Sequence, residues 1–196
     1  ETNRMNFKAL SLGLAVAVAS SITVAAPVAY KIDPTHTATV FSWNHFGFST
    51  PSANFSDIQG VINVDNAKPA NSSVNVTIPV SSVNTNVPAL DKEFQEDGWF
   101  NAAKYPNITF VSTKVETKDK KHFKITGNLT VKGITKPVVL KAVLNKQGVH
   151  PMTKAEAVGF NATTSFKRSD FGIANYVPNV GDRITVNITT EATAAK

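Results

Sequence analysis

Histidine, cysteine, serine and paired carboxylates are the side chains from which most reactive centres are built, and their spacing in this sequence assembles none. His36, His45, His122 and His150 are far apart, with neither the H-x-H of a strand metal site nor the H-E-x-x-H of a helical one. The chain has no cysteine, which removes thiol nucleophiles, thiolate zinc sites and disulfides together. No serine stands in a G-x-S-x-G elbow, and no motif ties Asp57, Asp91 or Asp170 to a histidine. Asp91, Glu93, Glu96 and Asp97 share one short segment, where an acidic, solvated face is expected rather than a general acid–base pair. No glycine-rich loop follows a strand and opens a helix, so phosphates of a nucleotide have no cradle. The sequence reads as a non-enzyme with no metal site and no required cofactor.

What the chain does carry is apolar side chains at a spacing of two. In Phe123–Val131, the residues Phe123, Ile125, Gly127, Leu129 and Val131 point one way, while Lys124, Thr126, Asn128 and Thr130 point the other. Successive strand side chains face opposite sides of a sheet, so this is a strand with one dry and one wet face. A second run follows Gly133 and places Val138, Leu140, Ala142 and Leu144 on its dry side, with Pro137 confined to a strand start or an edge because it has no N–H to donate. The same alternation appears in Thr39, Phe41, Trp43 and His45, in Ile62 and Val64 after Phe55, in Val74, Val76, Ile78 and Val80, in Ile108 and Phe110, in Val158, Phe160, Ala162, Thr164 and Phe166, and in Ile184, Val186 and Ile188. Gly60, inside the Phe55–Asp65 run, is expected to mark a bulge or bend. His45 is the histidine expected on a dry face, either satisfied by a polar neighbour or offered to a ligand's head.

One segment breaks the pattern. Between Ser82 and Tyr105, Pro88 suits a first helical turn, Leu90 and Phe94 fall four apart on one face, and Gly98 ends the helix. Trp99 and Phe100 follow, either as a plug over an open core end or as the lid of a pocket. Eight strands in nearly even succession with one short helix predict an all-β fold, an eight-stranded antiparallel barrel, because closure alone removes sheet edges. Such an interior holds side chains or one small ligand.

The N-terminus and the charge bound where this domain works. Met5-Asn6-Phe7-Lys8 and the apolar run after it have the layout of a secretory signal peptide, expected to span residues 1–25 with cleavage after Ala25, Glu1–Arg4 being an extraneous remnant. Residues 26–196 then form a single domain, expected in the bacterial periplasm or secreted. The formal charge of +6 is spread singly along the strands, except in the short run Lys118–Lys121. Without aromatic and basic residues interleaved on a wet face, nucleic acid is not an expected partner.

Tyr30-Lys31-Ile32-Asp33, His36, Phe41, His45 and Gly47 open a longer set: Asp91, Asn101, Lys104-Tyr105-Pro106, Phe110, Ser112, Gly127, Leu129-Thr130, Gly133, Thr135, Pro137-Val138, Phe160 and Asp170-Phe171. In order and spacing this set resembles the YceI-like polyisoprenoid-binding family over Tyr30 to Ala192. The resemblance implies an exported, lipocalin-like antiparallel barrel with its helix beside one opening, holding an amphiphile with a long isoprenoid or acyl tail, and no established chemistry. The chain departs from the family at the helix, where Leu90, Asp91, Lys92, Glu93 and Phe94 stand for Arg-Asp-x-His-Leu, and at Gly98-Trp99-Phe100, which stands for Asp-Phe-Phe. The departures remove a basic group and a histidine that could dock an anionic head group at the mouth, and affect the tail-binding interior less.

The expected function is therefore that of a carrier whose bound lipid is a polyisoprenoid, isoprenoid quinone-like or fatty acyl compound. Its chain would lie among Phe41, Trp43, Phe55, Ile78, Phe110, Phe123, Ile125, Leu129, Leu140, Phe160 and Phe166, with His45, Trp99 and Phe100 as further ligand-binding candidates. That reading leaves room for transient contact with a membrane surface and for a homodimer. The alternative is a non-catalytic structural or stress-related interaction protein whose barrel core is filled by its own side chains.

Overall fold

The computed structural model describes residues 26–194. The signal-peptide reading of residues 1–25 lies outside them. Ten strands, all paired antiparallel, run in the order β1 (Val28–Ile32), β2 (Ala38–Ser42), β3 (Ser52–Phe55), β4 (Gln59–Val64), β5 (Ser73–Pro79), β6 (Asn107–Thr117), β7 (His122–Val131), β8 (Ile134–Val149), β9 (Glu156–Lys167) and β10 (Arg183–Ala194). The helix α1 (Pro88–Gln95) lies between β5 and β6.

These ten strands make eight rows. β10 pairs with β2 from Thr185 to Thr189 and with β1 from Ala192 to Ala194, so β1 and β2 occupy one row end to end. β3 pairs with β2 and β4 with β1, which makes them the next row. From there every row pairs with its successor in sequence, through β5 to β10, and β10 closes on the first row. The result is a closed eight-stranded antiparallel barrel in simple up-and-down order, with dry faces inward; the outer side of β3 is bridged only at Asn54–Asn84, toward the α1 end.

The second row differs from the unbroken run expected at Phe55–Asp65, whereas the first breaks ahead of the run expected at Thr39–His45. The first row breaks because Asp33 and Pro34 start a short 3-10 turn, Pro34–His36, in which the Asp33 carboxylate accepts the Thr35 N–H at 2.8 Å and the Thr35 hydroxyl at 2.6 Å. The second breaks at Asp57, which takes a positive φ of 54° and lets the buried Ile58 turn inward. At Gly60 there is no bulge: its register with Val76 is regular, and a Cβ there would overlap the Asn75 carbonyl, so glycine allows a close backbone approach.

Pro137 lies inside β8 rather than at its start. It pairs with Asn128 of β7, while the register of β8 with β9 begins only at Lys141–Thr163. Its missing N–H therefore falls where the wall has no ladder to interrupt. Two apolar clusters fill the ends unequally. A small one, with Tyr30, Ile32, Ile62, Val158 and Ala192 at its centre, seals the end near the chain termini. A larger one extends from mid-barrel to the other end, under α1 and the loops after β2 and β9.

Candidate ligand cavity

At the α1 end four connections surround the opening: residues 43–51, 80–106, the Lys132–Gly133 turn and residues 168–182. Helix α1 has no side-chain N-cap, and Pro88 in its first turn supplies a fixed φ instead. Its acidic residues are not all a solvated face. Asp91 is half-buried and accepts the Thr85 N–H and hydroxyl, each at 2.6 Å, which ties the helix to the strand exit. Glu93 accepts the Trp99 Nε1–H at 3.0 Å, and Asp97 accepts from Asn101. The carboxylates at 91, 93 and 97 thus fix the segment that carries Trp99 and Phe100.

That segment puts a cluster of rings across the opening. Phe94 is buried, with its ring 5.0 Å from Trp99 and 5.8 Å from Trp43, and Phe100 meets Phe55 edge-on at 5.6 Å. Phe41 stacks on Phe55 at 5.1 Å and on Trp43 at 5.7 Å. Trp99 and Phe100 are only partly buried, packed over the core end and lining the space beneath it.

Beneath these rings lies a cavity of about 620 Å³. This is within the range of about 300–1,000 Å³ usual for small-molecule sites. A core filled by side chains does not match a void of this size. Its wall is almost wholly apolar and includes Phe41, Trp43, Phe55, Ile78, Trp99, Phe100, Phe110, Ile125, Leu129, Leu140, Phe160 and Phe166. Small residues at the waist keep it open: Ala142 and Ala162 face each other across β8 and β9, and at Gly127 the Phe110 ring takes the place of a side chain.

Two expected lining residues are placed differently. Phe123 does not reach the cavity; it meets Phe160 at 6.2 Å at the sealed end, beside a separate void of about 50 Å³. The dry face of β7 runs past the cavity's end, so correct alternation still puts its first residue in the plug. His45 is on the rim but exposed, not on a dry strand face, because β2 ends at Ser42. It belongs to a tight loop, bridged to Ser49 and Val180, with its ring 4.8 Å from Phe46.

Other lining residues were absent from the sequence-based set. Arg168 is buried at the mouth and donates to four carbonyls: Nε to Gly181 at 3.0 Å, Nη1 to Ile173 at 3.0 Å, and Nη2 to Asn175 at 2.7 Å and Val180 at 2.8 Å. Its guanidinium also lies 5.7 Å from the Trp99 ring centre. Burial lowers its pKa, and the charge of Asp182 opposes that shift. Burial pushes the Asp182 carboxyl up, but the Ser169 N–H at 2.9 Å and hydroxyl at 2.8 Å outweigh it and leave the pKa below the usual value. Only the irregular backbone of 169–181 gives Arg168 its partners, so no periodic signal marks it. Thr37, Thr39, Thr164 and Thr190 also line the cavity. Thr39 and Thr164 stand in phase with Phe41 and Phe166, a signal that could have found them. Among the described residues, no group of three or more His, Asp or Glu is gathered for a metal ion.

Comparison with known proteins fits this geometry. The model of the YceI-like domain family matches residues 30–192. A UPF0312 protein of Pseudomonas syringae pv. tomato is 35% identical over 193 residues, covering 98% of this chain and 99% of that protein. The crystal structure of the Campylobacter jejuni YCEI protein superposes with a TM-score of 0.70 at 35% identity, over 78% of this chain and 90% of that one. A polyisoprenoid binding domain from Saccharophagus degradans, implicated in plant cell wall breakdown, shares the fold at a TM-score of 0.66 and 13% identity, over 86% of this chain and 99% of that one.

Proposed function

The chain belongs to the YceI-like family, and from that premise we propose that it is a non-catalytic carrier that encloses the apolar tail of a long-chain amphiphile, a polyisoprenoid, isoprenoid quinone-like or fatty acyl compound. The observation that carries this reading is the cavity of about 620 Å³ with an apolar wall and an aromatic mouth. Left empty, such a void leaves its apolar lining without the contacts an occupant would supply. An apolar chain restores those contacts and gains about 25 cal/mol for each Å² it removes from water. The binding of a polyisoprenoid by a domain of the same fold supports the choice of ligand class.

The carrier needs no cofactor besides its lipid. It works outside the cytoplasm, in the periplasm or secreted, a reading supported by the basic lead and apolar run at residues 5–25. Organic extracts of the purified protein, analysed by mass spectrometry, are expected to contain a long-chain isoprenoid or acyl compound in near-stoichiometric amount. Extracts without lipid, together with no uptake of added farnesol, would overturn the reading.

A further inference from the structure

Away from its rim, the apolar wall of the cavity is interrupted only by threonines: Thr164, and a group formed by Thr37, Thr39 and Thr190. Thr39 is 9% exposed and Thr37 is 7% exposed, and both line the cavity together with Thr190. The hydroxyls of Thr37 and Thr190 lie 2.9 Å apart and bond to each other. One such bond leaves a hydrogen and several lone pairs of the pair unused. Among the described residues nothing hydrogen-bonds the Thr39 hydroxyl, which stands on the same inward face two residues further along. These three groups form a polar station in a greasy wall.

The inner end of the station is deep, and Thr39 stands two strand residues nearer the mouth, opposite Ile188. Thr190 is opposite Phe160, the ring that closes the far end, whereas β10 starts at the mouth with Arg183 opposite Lys167. Seven residues of strand separate the two levels, about 23 Å along the strand. At the mouth, by contrast, the polar side chains are already occupied: Glu93 accepts from Trp99, and Arg168 spends its donors on four loop carbonyls. A hydrocarbon end pressed against the station would leave its hydroxyls unpaired in a dry site, and sites of that kind reject analogues that lack the matching group. No cation lines this depth of the cavity, so a carboxylate or phosphate would be buried without a partner. A neutral oxygen (the hydroxyl of an alcohol or phenol, the carbonyl of a ketone or quinone) meets neither cost.

We propose that the amphiphile binds with a neutral oxygen-bearing group at its inner end, hydrogen-bonded at Thr37, Thr39 and Thr190, and with its chain running outward to the aromatic mouth. This inference rests on the carrier reading and adds the chemistry and direction of the ligand. Both tryptophans, Trp43 and Trp99, line the mouth, so their fluorescence reports which end of a ligand is there. Two brominated probes long enough to span the distance from station to mouth separate the orientations, since bromine quenches tryptophan only at contact: 16-bromohexadecan-1-ol carries it on the tail, and 2-bromohexadecan-1-ol beside the hydroxyl. The expected result is quenching several-fold stronger with the tail bromine at equal occupancy. The reverse order, or equal quenching, overturns the orientation. If neither alcohol binds, by quenching or by a rise in melting temperature, the carrier reading itself fails.

Variants test the station. Thr39→Val with Thr190→Val is expected to weaken dodecan-1-ol about tenfold and leave 1-bromododecane unchanged, while Thr39→Ser, which keeps a hydroxyl, stays within about twofold of the parent. An unchanged ratio of alcohol to bromoalkane in the valine variant would overturn the proposal. Should that variant fail to fold, the order of quenching in the unaltered protein still decides.

Discussion

Arg168 shows how one side chain can hold the rim of a cavity without a carboxylate partner. Its four carbonyl bonds join both ends of the 168–182 connection, and those carbonyls have no other use for a buried guanidinium's place. Removing it strands buried acceptors, each costing about 1–3 kcal/mol. Arg168→Met is therefore expected to destabilise by about 3–5 kcal/mol in urea unfolding, and Arg168→Lys should recover little of that, since an ammonium lacks the planar fork. Gly127 makes a different demand. Any Cβ there overlaps the Phe110 ring, which is itself part of the cavity wall. Gly127→Ala should cost about 1–3 kcal/mol and also weaken uptake of farnesol, because the displaced ring has only the cavity to move into. A thermal melt and a binding titration on the same sample check both effects. At this scale the sequence was legible wherever alternation ran unbroken: Phe41, Leu129 and Phe160 line the void as their phase implies. It was not legible for His45, whose strand stops short, nor for Arg168, whose partners are backbone atoms of an irregular loop.

The elements owe their positions to breaks as much as to pattern. The turn Pro34–His36 lets β1 and β2 share one row, and it is held by Asp33. Hydrogen bonds from the Thr35 hydroxyl, then from His36 and the Thr35 N–H, lower the Asp33 pKa from 3.8 to about 2. The same pairing, at 2.8 Å, raises that of His36 above its ordinary 6.5. The signs define a window. Asp33 stabilises the fold above pH 3.8 and loses its contribution as pH falls toward 2; His36 stabilises below 6.5 and loses its contribution as pH rises through its raised folded value. Both side chains are substantially solvated, so the effect is small. Melting temperatures of the parent and Asp33→Asn should differ most near pH 5, narrow only in part by pH 8, where the Thr35 bonds persist, and converge toward pH 2.5; a gap that stays constant would show that these hydrogen bonds do not carry the turn. An Asp-Pro pair such as Asp33-Pro34 is a turn signal in itself, but the sharing of a row is not legible, because it depends on which residues of β10 each half meets. The helix between β5 and β6 was readable from Pro88, Leu90 and Phe94, whereas the use of its acids to hold Trp99 was not, since that bond reaches from the last turn of the helix into the irregular chain beyond it.

For the molecule as a whole, closure could be argued from eight alternating runs, but the void could not, because volume depends on how far Ala142, Ala162 and Gly127 leave the large rings apart. A hollow barrel and a filled one respond oppositely to two perturbations. A ligand that binds only the folded barrel stabilises it by about 2.7 kcal/mol at a hundred times its Kd. In a chain of this size that raises the melting temperature by about 5–10 °C. Delipidated protein is thus expected to melt lower than the lipid-loaded form and to recover on adding farnesol. Leu129→Trp is the converse test. Leu129 is half-buried on the cavity wall, opposite Phe110. In a solid core the larger ring would overpack and cost about 1–3 kcal/mol. In the hollow barrel the indole projects into unoccupied space, so the delipidated variant should unfold within about 1 kcal/mol of the delipidated parent. The same ring takes up room the ligand needs, and the rise in melting temperature with farnesol should shrink or vanish. Retained ligand response with a large loss of stability would mean that the space beside Leu129 belongs to the packed wall and not to the tunnel.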